Sequence, residues 1–182
     1  MTSFYDKTGS LMRWCRKQEL PPEEACEILL QRLLQAKEYL TWVGQKAKMN
    51  FDNPQELDRL SLGKQTWERF CILARALKIN VGGKSFWDVA VEVLEKARSL
   101  PPDLLYNARP RGSPNTIWDL LWEPFGILHI ISHDLKGRYS DSPYSWTARI
   151  RKGTIRDSDQ WLKERYPDAP PISSQGNAKG ET

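Results

Sequence analysis

A long amphipathic stretch at residues 22–49 limits what this chain can fold into more than any other feature of its sequence. Its apolar residues recur at intervals of three and four, which places them on one face of an α-helix. They are Cys26, Leu29, Leu30, Leu33, Leu34, Leu40, Val43 and Ala47. Pro22 suits the first turn of such a helix, and Glu23 and Glu24 favour its positive end. The stretch therefore predicts a long helix with one face buried against other helices.

Several further segments show the same spacing and predict helices that pack against the long one. The predicted helices span 3–19, 22–49, 66–79, 85–99 and 115–135, with shorter ones after Asn53 and after Thr154. Pro124 is expected to kink or interrupt the helix at 115–135. The stretch 100–114, which contains four prolines, is interpreted as a connector. The largest core or interface side chains are predicted to be Trp42, Trp67, Trp87 and Trp118.

These segments predict a mainly α fold, a single-domain bundle of five to seven helices. A length of 182 residues fits one domain, and 40 % apolar with 27 % charged residues is typical of a globular protein. The helical domain is expected to span 1–166. Residues 167–182, which begin with prolines and continue with polar residues, predict a disordered tail. Near the C-terminus, alternation of apolar and basic residues over 146–151 predicts a short extended basic segment.

The three cysteines, Cys15, Cys26 and Cys71, are far apart and form no C-x-x-C pair. Buried, reduced thiols are therefore expected, as in a cytoplasmic protein. The N-terminus has no apolar signal region. The longest apolar-rich run, 125–131, is too short to span a bilayer, so no membrane partner is expected.

Sequence patterns typical of phosphate loops and of catalytic centres are incomplete in this chain. Gly83, Lys84 and Ser85 resemble the end of a phosphate loop, but Lys78 stands where the upstream glycine is required. A capping box formed by Ser85 and Asp88 explains the motif better. No nucleophile elbow is present. We therefore expect a non-enzymatic protein that needs no cofactor.

Three pairs of residues at i, i+4 spacing leave chemical alternatives open. His129 and His133 could hold zinc on one helix face, but a third ligand is missing and Ile130 stands where the general base of H-E-x-x-H would be. The bland interpretation is a packed histidine followed by a helix-end cation. The remaining two pairs are Asp119 with Glu123, as acid–base carboxylates or a solvated face, and Trp118 with Trp122, as a ligand platform or core.

Residues 136–156, termed here the basic-aromatic segment, carry the strongest functional signal. Cations there alternate with aromatic rings, an arrangement that suits phosphates with stacking bases, or an acidic protein surface. The candidate nucleic-acid-binding residues are Lys136, Arg138, Tyr144, Trp146, Arg149, Arg151, Lys152 and Arg156, extended by Arg109 and Arg111. A solvated surface loop would show the same composition.

Three functional hypotheses follow from these patterns. The first is an accessory subunit that binds nucleic acid without strong sequence specificity, within a larger protein–nucleic-acid complex. The net charge of +4 supports an anionic partner, and small, basic, Trp-rich helical chains are common among such subunits. The second is a protein-interaction or scaffold module that uses its basic-aromatic edge to bind other protein subunits. The third is a metal-dependent enzyme centred on His129 and His133.

Overall fold

The protein is a bundle of α-helices, as its sequence predicts. The structure, a computed structural model, describes residues 4–47, 63–126 and 158–169. Within them the helices are α1 (Phe4–Lys17), α2 (Pro22–Ala47), α3 (Gly63–Ala76), α4 (Phe86–Ala97), α5 (Pro102–Asn107), α6 (Ile117–Leu120) and α7 (Ser158–Arg165). The described residues contain no strand. The mainly α prediction is confirmed, while the predicted extended segment and the helix after Asn53 lie outside the described residues.

The centre of the bundle is the contact between α2 and α4. α2 also packs against α7, while α3 packs against α4 and α6, and α5 against α6. The predicted apolar stripe of α4 is buried throughout, and it consists of Phe86, Val89, Ala90, Val93, Leu94 and Ala97. Trp87 and Trp118 are also buried, as predicted, whereas Trp67 is only half-buried at the edge of the core. The structure does not describe the side chain of Trp42, so its predicted burial stays a prediction.

The buried face of α2 differs from the one that its leucine spacing predicts. Leu34 is exposed, whereas Arg32 and Gln35 are buried. Arg32 has a polar partner in α1, where the hydroxyl of Thr8 accepts a 3.1 Å hydrogen bond from its guanidinium. This bond compensates part of the cost of burying a charged side chain.

Two helices end on a residue with left-handed backbone geometry that is not glycine. Glu19 follows α1 with a φ of 52°, and Lys78 follows α3 with a φ of 62°. After α1, the N–H groups of Leu20 and Glu19 donate to the carbonyls of Cys15 and Arg16, which is the Schellman pattern. The same pattern follows α3. In each case the next residue, Leu20 or Ile79, is buried.

The stretch 100–114 is more than a connector, and this part of the sequence interpretation is wrong. It contains α5, which begins at Pro102. A proline in the first turn removes no needed hydrogen bond, so Pro102 starts the helix rather than breaking it. Leu105 and Tyr106 are buried and hold this short helix against the core.

The predicted helix at 115–135 is interrupted, as Pro124 led us to expect. α6 ends at Leu120, and residues 123–126 form a further helical turn after a break. Pro124 lies in the first turn of the new piece, where a missing N–H is tolerated. Residues 127–135, with His129 and His133, lie outside the described residues.

Candidate functional site

Most of the predicted binding residues lie in parts of the chain that the structure does not describe. Arg109 and Arg111 are the two that it does describe. The others are Lys136, Arg138, Tyr144, Trp146, Arg149, Arg151, Lys152 and Arg156, together with the metal candidates His129 and His133. Their roles therefore stay predictions, and the site must be built from Arg109, Arg111 and their surroundings.

Arg109 and Arg111 are exposed on the loop that joins α5 to α6. The loop is held at its base, where the Ile117 N–H donates to the Ala108 carbonyl at 2.8 Å. Its tip is a turn in which Gly112 has a φ of 89°, a value that favours glycine. Among the described residues, neither arginine takes part in an ion pair. The loop therefore presents two unneutralised cations to solvent.

A cleft of about 460 Å³ lies between α1 and the segment that contains α6. We call it the α1–α6 cleft. The described residues that line it are Gly9, Ser10, Met12, Arg13, Arg16, Trp118, Asp119 and Trp122. Those of α1 recur at three- and four-residue spacing, so they form one stripe of that helix. Gly9 has no side chain on this stripe, which leaves the cleft open at that position.

Trp118 forms the floor of the cleft and ties α6 to α1. Its side chain is 1 % exposed, and its indole N–H donates to the Met12 carbonyl at 3.0 Å. The ring packs edge-on against Tyr106 with 5.1 Å between ring centroids. The Tyr106 hydroxyl in turn donates to the Leu20 carbonyl at 2.8 Å. These contacts fix α5 and α6 against α1, which confirms Trp118 as core.

Two arginines from α1 line the cleft, and neither forms an ion pair with another described residue. The Arg13 guanidinium donates to the Ser10 hydroxyl at 3.1 Å. The Arg16 guanidinium donates to the Asn107 side-chain carbonyl at 2.9 Å. Asn107 itself donates to Asp103 at 3.0 Å. Both guanidiniums are thus oriented by neutral oxygens and keep their charge available for an anion.

Trp122 and Asp119 complete the cleft on the side of α6. The indole of Trp122 is half-buried and stacks against Phe125 at 6.1 Å between centroids. The side chain of Asp119 is exposed, while its backbone N–H donates to the Thr116 hydroxyl at 3.1 Å. The cleft therefore combines two cations, two indole rings and one carboxylate.

Asp119 and Glu123 do not form the acid–base pair that their spacing allowed. The helix is interrupted between them, and Glu123 is 8 % exposed, with its carboxylate accepting a 3.1 Å hydrogen bond from Arg69. Burial raises the pKa of Glu123, and the Arg69 charge opposes that rise. Glu123 is therefore a structural partner of Arg69, and Asp119 alone lines the cleft.

A second, smaller cleft of about 310 Å³ adjoins the first. Its described lining comprises Arg16, Glu19, Pro102, Asp103, Tyr106 and Asn107, so Arg16 belongs to both clefts. Arg109 follows Asn107 by two residues, which places their Cα atoms within about 8 Å of each other. We use the term basic face for Arg13, Arg16, Lys17, Arg109 and Arg111, all exposed. Arg13 and Arg16 line the clefts, and Lys17, Arg109 and Arg111 lie close in sequence to residues that line them.

The described residues offer little for metal or nucleophilic chemistry. Over 4–47, 63–126 and 158–169, no group of three or more His, Cys, Asp or Glu is arranged to hold a metal ion. All three cysteines are free and buried. Burial raises the pKa of Cys15 and of Cys26 to about 12, so both thiols are protonated at neutral pH.

The sequence interpretation missed the α1–α6 cleft because its residues come from segments a hundred positions apart. Arg13 and Arg16 gave a usable signal, since with Gly9 they occupy one face of α1 at spacings of three and four. No spacing rule connects that face to Trp122. The contact between α1 and α6 is decided by tertiary packing.

The comparisons with known proteins identify no relative of this chain. No protein-family model, no curated protein and no solved structure matches this chain. Among the helices that the structure describes, none combines the length and the apolar character needed to cross a membrane. The functional argument therefore depends on the geometry of the basic face and its clefts.

Proposed function

We propose that this protein is a non-enzymatic accessory subunit that binds single-stranded nucleic acid in the cytoplasm through the basic face. The arginines of the α1–α6 cleft contact backbone phosphates, and the Trp122 ring lies where a base can stack. The observation that carries the proposal is the presence of Arg13 and Arg16 in one cleft with a half-buried indole, neither arginine being ion-paired to a described residue. Cations beside a stacking platform are the combination by which proteins bind unpaired strands.

The chemistry of the face supports a strand over a compact anion. The cations are spread over α1 and over the loop that bears Arg109 and Arg111, rather than gathered around one point. A backbone with a charge at every nucleotide uses such a spread, because each contact releases a counterion. An unpaired strand also exposes base faces to Trp122, which a duplex keeps within its own stack.

The basic-aromatic segment extends this proposal on the strength of its sequence. Arg149, Arg151 and Lys152 would contact further phosphates, and Trp146 would stack on a further base. Changing the three cations together to Ala should flatten the salt dependence by roughly 2 to 3 units if each contacts a phosphate. An unchanged slope would remove the segment from the proposal and leave the described face as the binding surface.

The decisive measurement is the affinity for a labelled mixed-sequence single strand, by fluorescence anisotropy, at several salt concentrations. The double variant Arg13→Ala with Arg16→Ala should bind more weakly, and its slope of log K against log salt should fall by roughly 1 to 2 units. The matched control removes Arg75 and Lys96, which are exposed in the last turns of α3 and α4 and line neither cleft. It should keep the wild-type slope.

Two outcomes would overturn the proposal. One is a wild-type protein that binds no strand at low salt. The other is a pair of double variants with the same slope, since the basic face would then contribute only general charge. An acidic protein that binds the wild type with weak salt dependence, in the absence of strand binding, would favour the scaffold hypothesis instead.

A further inference from the structure

We propose that the α1–α6 cleft selects guanine, with the Asp119 carboxylate accepting hydrogen bonds from two N–H groups of one unpaired base. This inference rests on the proposed function and adds a base preference to it. It differs from the binding without strong specificity that the sequence led us to expect. The argument depends on what a carboxylate does in a cleft that is otherwise basic.

A cleft that served phosphate alone would be weakened by Asp119. A carboxylate repels a phosphate oxygen, yet Asp119 lines the same cleft as Arg13 and Arg16. Within the described residues it forms no ion pair with either arginine. An ionised carboxylate accepts hydrogen bonds and donates none. A ligand group that offers N–H donors would therefore complement Asp119.

Guanine is the base whose edge meets this requirement. Its N1–H and its N2 amino group are adjacent donors, and two parallel bonds to one carboxylate satisfy both. Adenine and cytosine place a ring-nitrogen acceptor next to their amino group, and uracil or thymine flanks its N3–H with two carbonyls. Each of these acceptors would face the carboxylate and repel it. Guanine O6 and N7 also accept bonds from arginine, so Arg13 or Arg16 complements the same base.

The cleft has the ring and the volume that one base needs. Trp122 lines it with a half-buried indole, and the neighbouring Phe125 ring lies at an interplanar angle of 26° to it. This contact holds the indole in one orientation for a stacking base. The volume of about 460 Å³ falls within the roughly 300 to 1,000 Å³ of clefts that hold small organic ligands.

Short thymine strands that carry one central guanine, inosine or adenine test this inference. Inosine lacks only the N2 amino group of guanine, so it removes one of the two donors. Wild type should bind the guanine strand roughly five- to 150-fold more tightly than the adenine strand, the range expected of a bidentate base contact, with inosine between them. Asp119→Asn should abolish this preference, because an amide presents a donor beside its acceptor.

The matched control is Asp88→Asn. Asp88 stands three residues after Ser85 at the start of α4, as Asp119 stands three residues after Thr116 at the start of α6, and both are exposed. Asp88→Asn should keep the guanine preference of the wild type. Equal affinities of wild type for the three strands would overturn the guanine inference and leave the proposed function intact. A preference that survives Asp119→Asn would also overturn it, whereas no binding of any strand would refute both proposals.

Discussion

α4 and α6 begin with the same local chemistry but are held in place by different interactions. Ser85 caps α4 by accepting the Asp88 N–H, and Thr116 caps α6 by accepting the Asp119 N–H, each at 3.1 Å. α4 then buries seven residues along 12, whereas α6 has only four residues in all. A four-residue helix is unstable alone, so contacts with neighbouring segments must position it, through burial of Ile117, Trp118 and Leu120 and through a hydrogen bond from Trp118.

This difference explains why the candidate site lies at α6 rather than at α4. Burial in the core is non-directional and fixes α4 by its apolar area. The corner around α6 is also buried, but it has directional bonds in addition, from Trp118 to Met12 and from Tyr106 to Leu20. Such bonds position individual side chains, and the exposed surface of the α6 corner can remain polar. The following predictions test this contrast, from the largest expected effect to the smallest.

Among the substitutions, Phe86→Ala should cost the most, because it removes a 1 % exposed ring from the start of α4. The expected loss is about 3 to 5 kcal/mol of unfolding free energy, from transfer and cavity terms together. Urea unfolding followed by circular dichroism measures it. A loss of less than about 1 kcal/mol would mean that burial does not hold α4.

Alkaline pH should destabilise the contact between α1 and α2, where Cys15 and Cys26 are buried. Burial raises the pKa of each thiol from 9.0 to about 12. Above pH 9 the unfolded chain releases protons that the folded protein retains. The contribution of the two protonated thiols to the free energy of unfolding is therefore fully present below pH 9. It is lost as the pH rises toward 12, by up to about 1.4 kcal/mol per pH unit for each thiol.

Melting temperatures between pH 8 and 11 check this, with Cys26→Ala as the comparison variant. That variant should lose part of the pH dependence, since one of the two thiols is gone. A melting temperature that stays constant from pH 8 to pH 11 in the wild type would contradict the buried, protonated state of these thiols.

Trp118→Phe should test whether one hydrogen bond holds the α6 corner. The substitution keeps an aromatic ring but removes the N–H that the Met12 carbonyl accepts. We expect a loss of about 1 to 3 kcal/mol, partly from the cavity and partly from the lost bond. Hydrogen exchange at 117–122 should speed up more than exchange in α4. Equal acceleration in both helices would remove the distinction between the two regions.

Removal of the N-cap hydroxyl from α4 and from α6 allows the stability and the strand binding of the two variants to be compared. Ser85→Ala and Thr116→Ala each delete a hydroxyl that accepts a first-turn N–H. Each should cost about 1 kcal/mol of stability. Only Thr116→Ala should also weaken strand binding, because Asp119 lines the cleft and Asp88 does not. Thermal melts and anisotropy on both variants separate the shared effect from the local one, and equal binding losses would contradict the assignment.

Glu19→Gly should produce the smallest effect, and its sign is opposite. Glu19 adopts a φ of 52° after α1, a conformation that glycine adopts without a steric penalty. The expected gain in stability is about 0.5 to 1 kcal/mol, with the Schellman bonds retained. A loss on chemical denaturation would show that the Glu19 side chain contributes more than its backbone strain costs.

Much of the helical framework was predictable because local patterns report it. The periodicity at 22–49 and the capping residues Ser85 and Asp88 identified α2 and α4, and Pro124 identified the interruption after α6. α5 was missed because two adjacent prolines suit a connector as well as the start of a helix. No local signal at Pro101 and Pro102 distinguished the helix start from the connector. The exposure of Leu34 was missed because it depends on tertiary packing, which helical spacing does not report.

The sequence by itself determined which segments are helical, where several of them begin, and that the surface is basic. These properties depend on spacing, on caps and on charge, which neighbouring residues settle among themselves. Only the tertiary structure decided that Arg13, Arg16, Asp119 and Trp122 share one cleft. The physical reason is that α6 is too short to position itself, so its burial in the core and the bonds from Trp118 and Tyr106 to distant carbonyls fix where its side chains lie.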